Sequence, residues 1–390
     1  MEKEQFSPKS VYRKFLELFD TQPILARSPG RINLIGEHTD YNEGFVMPAA
    51  INRDIVVAID FSMDDHSTLF SVKNNEFFSF HTSDPARVKS PLWANYLLGV
   101  VRKIIDQGHA VKSFNCVVDG DVPTGAGLSS SAALECSFAF ALDQLHQFNI
   151  PRQQLIFIAQ WAEHNYAGVK CGIMDQFSSM MGLEGKAFVL DCRSLEFRYF
   201  PVNLNNSAIV LCDSMVKHSL ASSAYNTRRM ECEQGVKILR DHYPEVHSLR
   251  DATLQMVESQ KAALPGKVYD RCTYVVQENQ RVLDASKDLE KGDLAAFGKK
   301  MYATHEGLSR LYEVSCEELD FLVDEAKRID GVLGARMMGG GFGGCTINFV
   351  IKDQVKNFIN SMSGAYEKQF NVKMNTYIVS IKDGTGIIKI

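Results

Sequence analysis

Between Gly120 and Ala133 the chain carries Pro123-Thr124-Gly125-Ala126-Gly127-Leu128-Ser129-Ser130-Ser131, a run of glycines and hydroxyls. It joins a strand-like segment, Phe114 to Val118, to a helical pattern through Ala132, Cys136, Phe140 and Leu145. Small residues let a phosphate approach the backbone, and both the free N–H groups and the positive dipole end of a helix favour an anion there. No lysine lies in the run and no Gly-Lys-Ser/Thr closes it, so this is not the common P-loop and a phosphate's charge must be neutralised from elsewhere. A glycine turn before a helix is also an ordinary connection. Three consecutive serines, whose hydroxyls suit a helix N-terminus, tilt the balance toward phosphate.

Four other places could take part in the same chemistry. Gly30 to Asn42 crowds Arg31, Glu37, His38, Asp40 and Asn42 between Gly30 and Gly36 and just beyond. Glu37, Asp40 and Asn42 are the acceptors a hydroxyl-rich ligand needs, His38 can donate or accept, and Arg31 is a rigid cation; the plainer alternative is a solvated charged loop. Asp175 stands before a short helix, either as an N-cap or as an acceptor for a hydroxyl proton. Glu163 borders the stripe Leu155, Ala159, Ala162 and Tyr166, and is either an ordinary helix carboxylate or a ligand for a hard cation such as Mg2+. Gly339 to Gly344 formally fits the dinucleotide fingerprint, but the β-branched Cys345 to Ile351 predicts a strand where that fingerprint needs a helix. The glycines there are either a tight crossover or a brace against the first loop.

These residues need elements to hold them. The periodicity predicts an amphipathic helix within Met1–Asp20, strands over 45–59, a hairpin of 54–61 with 68–80 about Asp64-Asp65-His66, and a helix from Trp93 to Ile105. Further on it predicts helices over 152–167 and 175–181, strands over 187–191, 195–202 and 208–213, and helices over 228–239, 271–285, 294–312 and 316–329. The polar Asn203 to Ser207 is the best boundary, giving units of 1–206 and 207–390. With 390 residues, 45% hydrophobic, there is material for two cores, and a net charge of −5 without like-charge blocks argues against nucleic acid and membrane surfaces. Nine scattered cysteines without a Cys-x-x-Cys pair predict reduced thiols. Neither a signal peptide nor an apolar run of membrane-spanning length is seen, which predicts a soluble cytoplasmic protein.

Taken in order, Gly30 to Asn42, Pro123 to Ala132 and Gly339 to Gly344 resemble the three motifs of galactokinases, members of the galactose, homoserine, mevalonate and phosphomevalonate kinase superfamily. The resemblance runs from about residue 10 to the C-terminus. It implies an α+β fold with an N-terminal ribosomal-S5-like domain, a C-terminal ferredoxin-like domain and an active site between them. It also implies transfer of the ATP γ-phosphoryl group to the C1 hydroxyl of α-D-galactose, with ATP and Mg2+ as cofactors, by a monomer. By matched position, Asp175 is the base and Arg31 its partner, which would keep the carboxylate ionised. Glu37, His38, Asp40, Gly172 and Tyr225 contact the sugar. Gly125, Ala126, Gly127, Leu128, Ser129 and Ser130 cradle the phosphates, Trp93 and Tyr96 line the adenine pocket, and Ser131 and Glu163 serve Mg2+. Thr273 and Tyr274 stand where many relatives carry an Arg-His pair, outside the three motifs. The alternatives are a kinase for N-acetylgalactosamine or galacturonate, and a non-catalytic galactose and ATP sensor, against which the intact Ser131-Ala132 speaks.

Overall fold

The computed structural model describes residues 6–217 and 221–390. Helix α1 (Pro8–Phe19) lies in the span predicted at Met1–Asp20, of which residues 1–5 fall outside those described. Ser7 and Ser10 exchange capping hydrogen bonds at its start, and Val11 and Phe15 bury its apolar face. There follow β1 (Ile24–Asn33), β2 (Phe45–Val46), β3 (Pro48–Phe61), β4 (Ser67–Ser71), β5 (Glu76–Phe80), α2 (Ala94–Asp106), β6 (Phe114–Gly120), α3 (Ser130–His146), α4 (Arg152–Ala162), α5 (Met174–Met181), β7 (Lys186–Asp191) and β8 (Phe197–Pro201). After the turn predicted as a boundary come β9 (Ser207–Lys217), α6 (Ala221–His242), α7 (Leu254–Ser259), α8 (Gly266–Lys291), α9 (Leu294–Glu306), α10 (Glu317–Arg328), β10 (Val332–Met337), β11 (Gly343–Ile351), α11 (Val355–Phe370), β12 (Asn375–Val379) and β13 (Gly386–Ile388).

The first sheet has the order β13-β1-β3-β6-β4-β5. β6 lies between β3 and β4, antiparallel to the former and parallel to the latter, so the hairpin predicted about Asp64-Asp65-His66 does not form and β4 turns instead into β5. The physical reason is burial: Phe114, Cys116 and Val117 are wholly enclosed, and a strand buried on both faces takes the interior of a sheet. Helices α2 to α5 pack Leu97, Phe138, Ile158 and Phe177 against this sheet. β10-β11-β9-β12 form a second, antiparallel sheet, and β2-β7-β8 a third.

Two features tie the halves together. One apolar cluster unites Ile32, Leu34 and Leu128 with Val282, Phe297, Met338 and Ile347. The last strand, β13, crosses back to the first sheet, with Ile388 opposite Leu25 of β1. All nine cysteines are free thiols, and among the described residues no helix is long and apolar enough to cross a membrane.

Candidate functional site

The glycine run becomes a turn whose backbone no other residue type would take easily. Gly125 and Gly127 have φ of 79° and 76°, and Ser129, at 56°, is a non-glycine residue in the same left-handed region immediately before α3. Ser129 is the N-cap residue of α3, but its side chain makes no capping bond. Its hydroxyl donates instead to Asp175 Oδ2 at 2.5 Å, which anchors the strained residue to the element that carries the carboxylate.

Asp175 lies in the first turn of α5 rather than at its N-cap, a position held by Ile173 without a side-chain bond. Its other oxygen accepts from Arg31 Nε at 2.7 Å, and Arg31 Nη1 donates to Gly127 O at 2.6 Å. Arg31 is buried at the end of β1 and so touches the carboxylate and the glycine turn at once. Such charge-assisted bonds fix both groups.

The charged loop after β1 folds over the same space. Glu37, His38 and Asp40, together with Arg31, Gly125, Gly127, Ser129 to Ser131, Glu163, Asp175, Tyr225 and Gly340, line one cavity of 260 Å3. Burial, reinforced by the Asp175 charge, pushes the Asp40 carboxyl up to about 7. Gly172 packs directly on that carboxylate, for a Cβ there would fall 2.0 Å from Asp40 Oδ2. His38 is held at both nitrogens. Nε2 faces the Gly340 carbonyl at 3.2 Å and must carry the hydrogen, so Nδ1 accepts from the Tyr41 hydroxyl at 2.7 Å, and burial lowers the ring to about 4, keeping it neutral. Ala126 and Leu128 differ from the rest of the loop in that both are buried, and the Ala126 backbone lies close to Gly344.

Ser131 and Glu163 meet at the floor, with Ser131 Oγ donating to Glu163 Oε1 at 2.8 Å. Glu163 is not in the regular α-helix expected over 152–167 but opens a π turn, Glu163–Ala167, that continues α4. Gln176 Nε2 donates to Glu163 Oε2 at 2.7 Å and to the buried Glu135 Oε2 at 3.2 Å. Burial pushes the Glu163 carboxyl up to about 7 and Glu135 well above its usual range, so a cation would be favoured beside them. Glu135 Oε1 and Gln176 Oε1 are buried without a hydrogen-bond partner. Among the described residues no cluster of three or more His, Cys, Asp or Glu could hold a metal, and Mg2+ needs none where one carboxylate, a hydroxyl and phosphate oxygens suffice.

Ser130 and Ser131 also line a second cavity, of 230 Å3, with Trp93, Tyr96, Thr124 and Leu134. The two cavities thus flank the serine end of the glycine turn. Lys73 lies in the second, its Nζ donating to Thr124 Oγ1 at 2.9 Å. Nothing in the sequence marked Lys73, a polar turn residue. Nor did it mark Arg336, the lone charge in the apolar stretch from Val332 to Met338, which is wholly buried behind Glu37. Tyr274, set aside as lying outside the motifs, donates its hydroxyl to Glu37 O at 3.0 Å. The brace expected of the second glycine cluster is present: a Cβ on Gly339 would stand 3.1 Å from Gly127 O, and one on Gly344 3.2 Å from the Ala126 carbonyl carbon.

Three family models match the chain: the galactokinase galactose-binding signature over residues 13–61, the GHMP kinases N terminal domain over 95–183 and the GHMP kinases C terminal over 285–368. A galactokinase of Roseiflexus sp. is 38% identical over 96% of this chain and 95% of its own length. One of Thermotoga maritima is 40% identical over 92% of this chain and 98% of its own. The crystal structure of Lactococcus lactis galactokinase complexed with galactose superposes with a TM-score of 0.93 at 34% identity, covering 97% of this chain and 99% of that one.

Proposed function

The chain belongs to the galactokinase family, and from that premise we propose how its cavity carries out the family reaction. The enzyme has the two-domain α+β fold of GHMP kinases and transfers the γ-phosphoryl group of ATP to the C1 hydroxyl of α-D-galactose, giving galactose 1-phosphate and ADP. Neither a kinase for another sugar nor a non-catalytic sensor is favoured by these likenesses.

One observation carries the residue assignments: Asp175 is bonded at once to Arg31, from the sugar-binding signature, and to Ser129, from the glycine turn. The carboxylate is therefore held where a sugar hydroxyl and a terminal phosphate could meet. Glu37, Asp40, Tyr225 and the His38 segment bind the sugar hydroxyls. Gly172, having no side chain, leaves Asp40 its place. The backbone N–H groups of the turn from Gly125 to Ser130 cradle the phosphates, and Trp93 and Tyr96 flank the base. Asp175 orients the C1 hydroxyl and receives its proton as the C1 oxygen bonds to the γ-phosphorus and the bond from that phosphorus to the ADP oxygen breaks. Arg31 keeps the carboxylate in position and adds positive charge near the phosphates. Ser131 and Glu163 would hold Mg2+, which when bound neutralises phosphate charge. Little covalent work is asked of the protein, and catalysis is chiefly positioning and charge stabilisation.

An ADP-release assay over galactose, N-acetylgalactosamine and galacturonate tests this. Galactose should dominate, and Asp175→Ala should lower its turnover by roughly 10²-fold or more while ATP still binds. Preference for another sugar would overturn the substrate, and near-normal turnover of the variant would remove Asp175 from the mechanism.

A further inference from the structure

Arg336 is the largest charged group wholly enclosed near the site, and its guanidinium reaches from β10 into the segment that carries the sugar acceptors. Nε donates to Leu34 O at 3.0 Å, Nη2 to Asn33 O, and Nη1 both to Met337 O at 2.7 Å and to Glu37 Oε1 at 3.0 Å. The same Glu37 oxygen accepts the Gly339 N–H at 2.8 Å. Oε1 is thus saturated by protein donors, whereas Oε2 has none among the described residues and Glu37 lines the cavity. A carboxylate gripped at one oxygen and open at the other is oriented, not merely neutralised.

Stability alone is a poor reason for this arrangement. A buried ion pair loses in desolvation much of what it gains by attraction, and an apolar pair of similar volume often serves a core as well. A guanidinium, however, offers a planar fork that can grip two successive carbonyls, Asn33 O and Leu34 O at the end of β1, and a carboxylate farther along the chain, which lysine's point charge cannot. We infer that Arg336 is a positioning residue for galactose: it holds Glu37 so that Oε2 meets a sugar hydroxyl, and thereby makes a residue of the C-terminal half set the affinity of the N-terminal sugar motif. This rests on Glu37 being a sugar ligand.

The test is a double-mutant cycle read by steady-state kinetics on variants whose cooperative melting is verified by circular dichroism. Glu37→Gln alone should raise the KM for galactose by about ten-fold or more; no change would refute Glu37 as a sugar ligand and, with it, this inference. Given that rise, Arg336→Lys should raise the galactose KM by a similar factor, with the KM for ATP within about two-fold, and should add little in the Glu37→Gln background because the two act through one contact. An unchanged galactose KM in Arg336→Lys, equal shifts for both substrates, or factors that multiply in the double variant would refute Arg336 while leaving Glu37 standing. Should Arg336→Lys not melt cooperatively, Arg336→Gln combined with Glu37→Gln, which buries no charge, carries the comparison: a galactose KM equal to that of Glu37→Gln supports the inference, and a further ten-fold rise overturns it.

Discussion

Asp40, which lines the cavity, works against the stability of its own fold. Burial and the neighbouring Asp175 charge both oppose ionisation and push its carboxyl from the ordinary 3.8 up to about 7. A carboxyl whose folded value is raised contributes stability that is complete below its unfolded value and is lost as pH rises through the folded one. Asp40→Asn should therefore raise the melting temperature relative to the parent at pH 8 and make little difference at pH 4, while weakening galactose use at both. Equal shifts at the two pH values would show that the buried charge is not the cause. His38 sets the opposite pattern. Neutral above about 4 and bonded at both nitrogens, it stays silent over the physiological range and serves as a fixed wall.

At the scale of elements, the site is a junction of two glycine turns. Gly344 has φ of 83° and its missing Cβ would press on the Ala126–Gly127 backbone, so a side chain there disturbs both turns. Gly364, inside α11, meets nothing within 4 Å and has no such duty. We expect Gly344→Ala to cost about 1–2 kcal/mol from the left-handed backbone alone and to raise the KM for ATP more than that for galactose. Gly364→Ala should instead stabilise by about 0.4–1 kcal/mol and leave the kinetics unchanged. Thermal melts and initial rates on the two variants decide the matter, and similar behaviour of the pair would mean that the turns do not brace one another. The π turn that Glu163 opens after α4 carries the carboxylate that Ser131 reaches.

For the whole molecule, we propose units of 1–206 and 207–390 that unfold together. The shared apolar cluster is one reason, and the chain's tail is another. Thr385 is buried, its hydroxyl donating to Ser179 O at 2.9 Å and lying 2.8 Å from Ser28 Oγ, while Gly384 N donates to Gly182 O at 2.9 Å. Ser179 in turn donates to Pro29 O on β1, two residues before Arg31. Deleting residues 384–390 should lower the single calorimetric transition by on the order of 5 °C and reduce turnover. Two separate transitions in the intact protein, or a deletion without effect, would show that the halves are independent.

Much of the chemistry was legible in the residues because it resides in short contiguous runs. The glycine turn, the charged loop after β1 and Asp175 in the first turn of α5 each carry a local signature of glycine content, charge or helix-terminal position, and α2, α3 and β6 followed from their residue patterns. What stayed hidden depends on partners far along the chain. Strand order in the first sheet was decided by which strand could be buried on both faces, and β6 displaced the neighbour that sequence adjacency favours. Short elements such as α7 and β13 have too few residues to show a period, and packing alone makes them form. Arg336 and Tyr274 carry no motif of their own; each matters only because folding sets it against Glu37, and a hydrogen bond between residues about 240 to 300 positions apart leaves no trace in local pattern. Composition and spacing thus determined which groups could act, and the tertiary structure decided which of them meet, since burial and long-range hydrogen bonds exist only once the chain has closed on itself.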